Sequence, residues 1–166
     1  GHFDRARPAR PARRAVSLDA RTGRPRWSRP VEVTYCSQIG IGGGELTAMV
    51  KDGVMVLCGA NANGHYWKQF LAGQFTQRRL LALSARTGED LWTREANYRH
   101  RPLIVDGRVI AEPWAFDLKT GEPVMRAHPF TGEPGPWKIL RPGHHCGAVS
   151  ASPGMLFFRS GYTGYY

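Results

Sequence analysis

His144-His145-Cys146 is the densest run of chemically able side chains in the sequence. Imidazole and thiolate ligate zinc, copper or haem iron. On extended backbone, side chains alternate, so His144 and Cys146 share one face and His145 points to the other. Two ligands leave a tetrahedral site open, and Cys36 is the fourth candidate because its neighbouring glycine loop can approach the same axis. A shared zinc requires the Cys36 and Cys146 sulfurs within about 4 Å of each other. A disulfide requires their Cα atoms about 5.5–6 Å apart. No C-x-x-C-H haem attachment sequence is present. The plainer reading is a polar loop following Arg141-Pro142-Gly143, and the incomplete ligand set favours it.

The remaining candidates are weaker. His65-Tyr66-Trp67 reads as a loop plug over strand ends more readily than as an aromatic ligand wall. Gly40-Ile41-Gly42-Gly43-Gly44 lacks the Gly-Lys-Ser/Thr that closes a phosphate cradle, and Glu45-Leu46-Thr47-Ala48-Met49-Val50 after it fits a strand. Cys58 ends the apolar run Val54-Met55-Val56-Leu57 and is expected to be a small buried hydrophobe. Glu32, Glu45 and Glu112 are scattered, whereas general-base chemistry on an alcohol calls for a concentrated acid set.

The elements that must position these residues are hairpins. Leu18-Asp19-Ala20-Arg21-Thr22-Gly23-Arg24-Pro25-Arg26-Trp27, Leu83-Ser84-Ala85-Arg86-Thr87-Gly88-Glu89-Asp90-Leu91-Trp92 and Phe116-Asp117-Leu118-Lys119-Thr120-Gly121-Glu122-Pro123-Val124-Met125 spell nearly one phrase. Each is an apolar strand end, a polar turn closed by Thr-Gly, and a second strand reaching a large apolar residue. A second phrase interleaves, around Asp52-Gly53, Asp106-Gly107 and, more loosely, Pro153-Gly154. Asp-Gly between apolar runs is a strong hairpin signal. Gly88 and Gly121 are 33 residues apart, and Gly23 and Gly88 are 65 apart. One blade with loops around residues 35–44 and 61–77 accounts for the longer interval. Steady hairpin repeats imply stacked β units sharing a core. The class is therefore all-β, a partial β-propeller of antiparallel four-stranded blades, with almost no helix over residues 15–158 and no helix of three or more turns across residues 80–92. Trp27, Trp92 and Met125 occupy equivalent positions and are expected to wedge between blades.

An Asp-Gly hairpin leading to Leu-x-Ala-x-x-Thr-Gly-x-x-x-Trp resembles the PQQ-like repeat of quinoprotein-type β-propellers, over roughly residues 15–158. Cys36 to Gly44 and His144-His145-Cys146-Gly147 are similar to stretches of bacterial envelope proteins with this repeat. The resemblance implies a periplasmic or envelope location. It spans quinone-dependent alcohol dehydrogenases and a non-enzymatic propeller of outer-membrane assembly, so it does not decide function. The dehydrogenase form implies pyrroloquinoline quinone with calcium, pressed against adjacent cysteines. Cys36, Cys58 and Cys146 include no adjacent pair, so that cofactor is not expected here.

Charge and length complete the reading. The formal net charge is +10, and nine arginines against Asp4 and Asp19 concentrate it in residues 1–30. Residues 1–14, rich in Arg, Pro and Ala, have no apolar period and are expected to be a disordered tail. The tract could hold phosphates or acidic lipid loosely. The remainder lacks the basic-aromatic face of a nucleic-acid reader, so no specific nucleic acid is expected. No run approaches the ~18 apolar residues of a membrane span. The repeated phrases mark about three blades, whereas a closed propeller at roughly 40 residues a blade would need about twice the 166 residues present. A segment of a larger propeller, cut short at the C-terminus of residues 15–166, is expected. Three classes are compatible with these features: a non-catalytic scaffold binding a protein partner or small ligand on one propeller face, part of a quinone-dependent dehydrogenase, or a nucleic-acid or anionic-surface binder using the arginine tract. The repeats alone suffice for the first.

Overall fold

Asp52 and Asp106 both sit at φ +48°, and Gly53 and Gly107 after them at +79° and +67°. Positive φ at both central residues is the type I′ turn, whose twist matches that of two antiparallel strands. Aspartate tolerates this region better than most residues, and glycine enters it without steric cost. Apolar runs on either side of each turn then pair as strands.

The computed structural model describes residues 13–31, 47–58, 79–96, 98, 101–139 and 149–158. Among them are thirteen strands and no helix, hence none long and apolar enough to cross a membrane. The chain divides into two compact units, Gly1–Glu32 and Val33–Tyr166.

The first unit holds one hairpin. β1 (Arg13–Leu18) pairs antiparallel with β2 (Pro25–Val31), from Arg13 opposite Val31 to Leu18 opposite Pro25. The strand starts two residues earlier than the composition of the arginine tract suggests. Arg14 reaches across the pair, donating from Nε to Ser28 Oγ at 3.1 Å and from Nη2 to the Ser28 carbonyl at 3.3 Å. The long stem lies on the exposed face while Ala15 is buried behind it. Residues 1–12, the rest of the expected tail, lie outside the described residues.

The second unit begins with a complete four-stranded blade. β3 (Thr47–Lys51), β4 (Val54–Cys58), β5 (Arg79–Ser84) and β6 (Asp90–Glu95) are hydrogen-bonded in chain order, each antiparallel to the last. Two strands and their turn thus occupy residues 80–92, where a helix was not expected. β7 (Leu103–Val105), β8 (Arg108–Ala111) and β9 (Trp114–Asp117) form the next blade. Its fourth strand is split. Pro123 bridges to Phe116, and Val124 N–H donates to Ala115 O at 2.9 Å. The chain then leaves as a separate hairpin, β10 (Met125–Ala127) with β11 (Pro134–Pro136). Trp137 N–H donates to Val124 O at 2.7 Å on its return, Lys138 bridges to Trp114, and Ile139 N–H donates to Pro113 O at 2.8 Å. Proline at 123 lacks the N–H a ladder needs, which confines it to an edge position of this kind. β12 (Val149–Ser152) and β13 (Met155–Phe158) open a further blade.

Two apolar layers flank the β7–β9 blade. Val109, Ala111 and Phe116 pack with Val54, Val56, Cys58, Leu80 and Trp92 of the preceding blade. Ile110 and Ala115, one residue out of phase, pack instead with Ile139 and Val149. The period-two alternation sends neighbouring side chains to opposite faces. Both faces are covered, which is why these strands read as continuous apolar runs.

Trp92, 9 % exposed, is the inter-blade wedge. Met125, expected in the same role, is exposed in β10 because the split strand carries it out of the blade, and Trp27 is half-buried in β2. A Cβ on Gly121 would lie 2.5 Å from the Trp92 ring, whereas one on Gly107 meets nothing within 4 Å. Gly121 and Gly107 have nearly the same φ, +69° and +67°, so Gly107→Ala reports the backbone strain alone. Gly121→Ala should lose a further 1–3 kcal/mol or so from overpacking, read as the difference in urea unfolding free energy between the two variants.

Candidate functional site

The Thr-Gly turns share one hydrogen-bond plan. The first residue's N–H donates to the carbonyl five residues on, as in Asp19 to Arg24 (2.8 Å), Ser84 to Glu89 (2.8 Å) and Asp117 to Glu122 (2.8 Å). The glycine N–H donates back to that first residue's carbonyl, at 2.7 Å from Gly23 and 2.9 Å from Gly121. The first side chain accepts from the backbone inside the turn. Asp117 Oδ1 takes the N–H groups of Lys119 and Thr120, each at 2.8 Å, and the Thr120 hydroxyl at 3.1 Å. Threonine in turn accepts from the residue after glycine, as Thr120 Oγ1 does from Glu122 N–H at 3.2 Å.

A fourth copy, overlooked in the repeat pattern, closes β10–β11. His128 N–H donates to Glu133 O at 2.7 Å, and Gly132 N–H to His128 O at 2.9 Å. His128 Nδ1 accepts from Phe130 and Thr131 N–H, both at 3.3 Å, so that nitrogen carries the lone pair. The signal was Thr131-Gly132 itself, with histidine in the aspartate position.

Charge follows the same plan. Arg26 Nη2, 2.7 Å from Asp19 Oδ2, holds the Asp19 carboxyl well below the usual carboxylate range, assisted by Thr22. The Thr120 N–H bond lowers Asp117 against an opposing desolvation penalty.

The Ser84 and Asp117 turns lie at one end of the second unit's blades. Ala85 N–H donates to Gly53 O and Leu118 N–H to Gly107 O, tying these two Thr-Gly turns to their blades' Asp-Gly turns. Gly154 N–H donates to Asp106 Oδ2 at 2.8 Å, joining the next blade's turn to the set. Beside them stands the β10–β11 hairpin. The Arg126 guanidinium lies over the Trp137 ring, 3.6 Å from its centroid. Phe130 at the tip is 92 % exposed, its ring centroid 5.9 Å from that of His128. Between stem and blades is a pocket of about 140 Å³, whose lining includes Asp106, Arg108, Ile110, Arg126, Trp137 and Leu156.

The opposite end carries the Glu112-Pro113 turn, with Glu112 buried. His144, His145, Cys146, Cys36, His65, Tyr66, Trp67, Glu32, Glu45 and the glycine loop lie outside the described residues. Among the described residues no three His, Cys, Asp or Glu side chains converge to hold a metal. Cys58 is fully buried and directs its sulfur at Thr47 O, 3.8 Å away. Its sequence neighbours are Leu57 and Gly59. A buried thiol with no adjacent cysteine does not fit the disulfide platform of a quinone site, and no chemistry is assigned to that cofactor.

Antiparallel blades with these paired turns define a repeat module of the β-propeller class. The family profile of outer membrane protein assembly factor BamB matches residues 13–127. The chain belongs to this family of PQQ-like repeat proteins. No curated protein matches it.

The lowered Asp117 value makes the turn sensitive to acid. The unfolded chain binds the proton more readily, so this contribution is present above the unfolded pKa of about 3.9. It is lost as pH falls below that value toward the folded one. Asp117→Asn should therefore flatten the fall of melting temperature below about pH 4, measured against the parent chain by circular dichroism.

Proposed function

We propose that the chain is a non-catalytic propeller module of the bacterial envelope that docks a protein partner on the turn-bearing end of its blades. The observation that carries this is the β10–β11 hairpin, which interrupts a blade strand to present Phe130 almost wholly to solvent. Aromatic anchors held on ordered stems are where binding energy concentrates when a partner covers them. The stem is ordered by the His128 turn, by Arg126 over Trp137, and by the return of Trp137 N–H to Val124 O. Membership of a family described as an assembly factor for outer membrane proteins supports the envelope setting and the protein-binding role.

The competing classes draw less support. A dehydrogenase needs a cofactor platform that Cys58 does not fit. The arginine tract gives up Arg13 and Arg14 to β1, where Arg14 is engaged by Ser28.

A photo-crosslinking residue in place of Phe130, in cells making the protein, should couple to a discrete envelope protein. The same residue in place of Glu95, exposed at the end of β6 away from the turns, should not. Equal products at both positions would overturn the docking reading. Alcohol-dependent dye reduction that requires added quinone and calcium would overturn the non-catalytic one.

A further inference from the structure

The side chain of Arg108, half-buried in β8, makes no hydrogen bond or ion pair among the described residues. It lines the 140 Å³ pocket together with Arg126, whose guanidinium is stacked on Trp137. Stacking on an indole occupies the face of a guanidinium and leaves its edge N–H groups free to donate in the ring plane. Two such forks around one small pocket form a receptor for a planar anion.

We propose that this pocket binds a carboxylate, the Asp or Glu side chain of an acidic segment in the docked protein. Two features select that chemistry. Asp106 stands in the lining, its Oδ2 accepting from Gly154 N–H at 2.8 Å. Two guanidiniums and one carboxylate leave the lining a single net positive charge, which one carboxylate neutralises. Size is the second: about 140 Å³ is well below the roughly 300 Å³ at which pockets begin to enclose whole cofactors. A carboxylate on a short methylene stem fits, with Ile110 and Leu156 as the apolar wall for the stem. Arg126 and Phe130 share one hairpin, so a chain covering Phe130 passes the pocket. The inference rests on the protein-docking reading above.

The test uses the full chain and four probes: an acetylated, amidated pentapeptide with central Glu, its Gln counterpart, acetate, and inorganic phosphate. The readout is the Trp137 indole N–H resonance, identified by its loss in Trp137→Phe. The Glu peptide should shift it and the Gln peptide should not. Arg108→Gln and Arg126→Gln should each weaken binding about tenfold or more. Arg126 is exposed, so its variant keeps the test decisive if Arg108→Gln does not fold. Equal response to Glu and Gln peptides overturns the proposal, as does tighter binding of phosphate. Acetate binding as tightly as the peptide overturns the acidic-segment source. Failure of the Glu peptide while cross-links persist at position 130 overturns the pocket alone. Loss of those cross-links with peptide binding intact overturns the docking reading instead.

Discussion

The second unit depends on one indole. Trp92 leaves β6, crosses to the next blade, and donates its Nε1 proton to Leu118 O at 2.9 Å in a buried position. Its ring lies where only a glycine at 121 leaves room. Arg94, two residues along the same strand, donates from Nε to Gly121 O at 2.6 Å and pairs with Glu122. Three contacts from one strand thus grip a single Thr-Gly turn of its neighbour. A buried indole N–H left unpaired would cost about 1–3 kcal/mol, so the grip specifies spacing as well as adding stability. Val56, Leu80 and Val109 can then meet in one apolar layer.

That grip also sets the path of the chain beyond the turn. Pro123 and Val124 emerge directly from the clamped residues, and their bridge and hydrogen bond to β9 start the outer strand. The hairpin stem therefore grows from a fixed point. Arg126 over Trp137 and the pocket beside Arg108 inherit their placement from contacts made a blade away. Stability and the proposed docking surface are linked through the same few residues.

The repeated phrases made the blades legible because a Thr-Gly turn is a local device. Its acceptor, threonine and glycine sit within five residues, so sequence order is enough to find it. The equivalence of Trp27, Trp92 and Met125 was less secure, since a wedge needs a neighbour at the right distance and sequence spacing does not state one. Met125 fails because the outer strand leaves the blade after Val124 and pairs Met125 with Pro136 of β11 instead. The fourth turn was hidden by its histidine, which replaces a carboxylate oxygen with Nδ1 while keeping the geometry. The pocket was not legible at all. Arg108, Arg126 and Leu156 lie far apart in the chain and meet only when the split strand folds back.

An interrupted outer strand is a favourable place to acquire a binding surface. Strands deeper in a blade are hydrogen-bonded on both sides and packed on both faces, so an insertion there would break two ladders and open a cavity. At the edge, Val124 and Trp137 close the gap with one hydrogen bond, and Ile139 resumes the ladder toward Pro113. Loop-closure entropy rises only slowly with added length, about 0.6 kcal/mol for each doubling, and the Thr131-Gly132 turn organises part of that length. Ile139 remains buried against Ile110 and Ala115, so the core layer is retained across the interruption. The blade keeps its packing while the hairpin is free to carry Phe130 and Arg126 outward, where selection for a partner can act on them without disturbing the core.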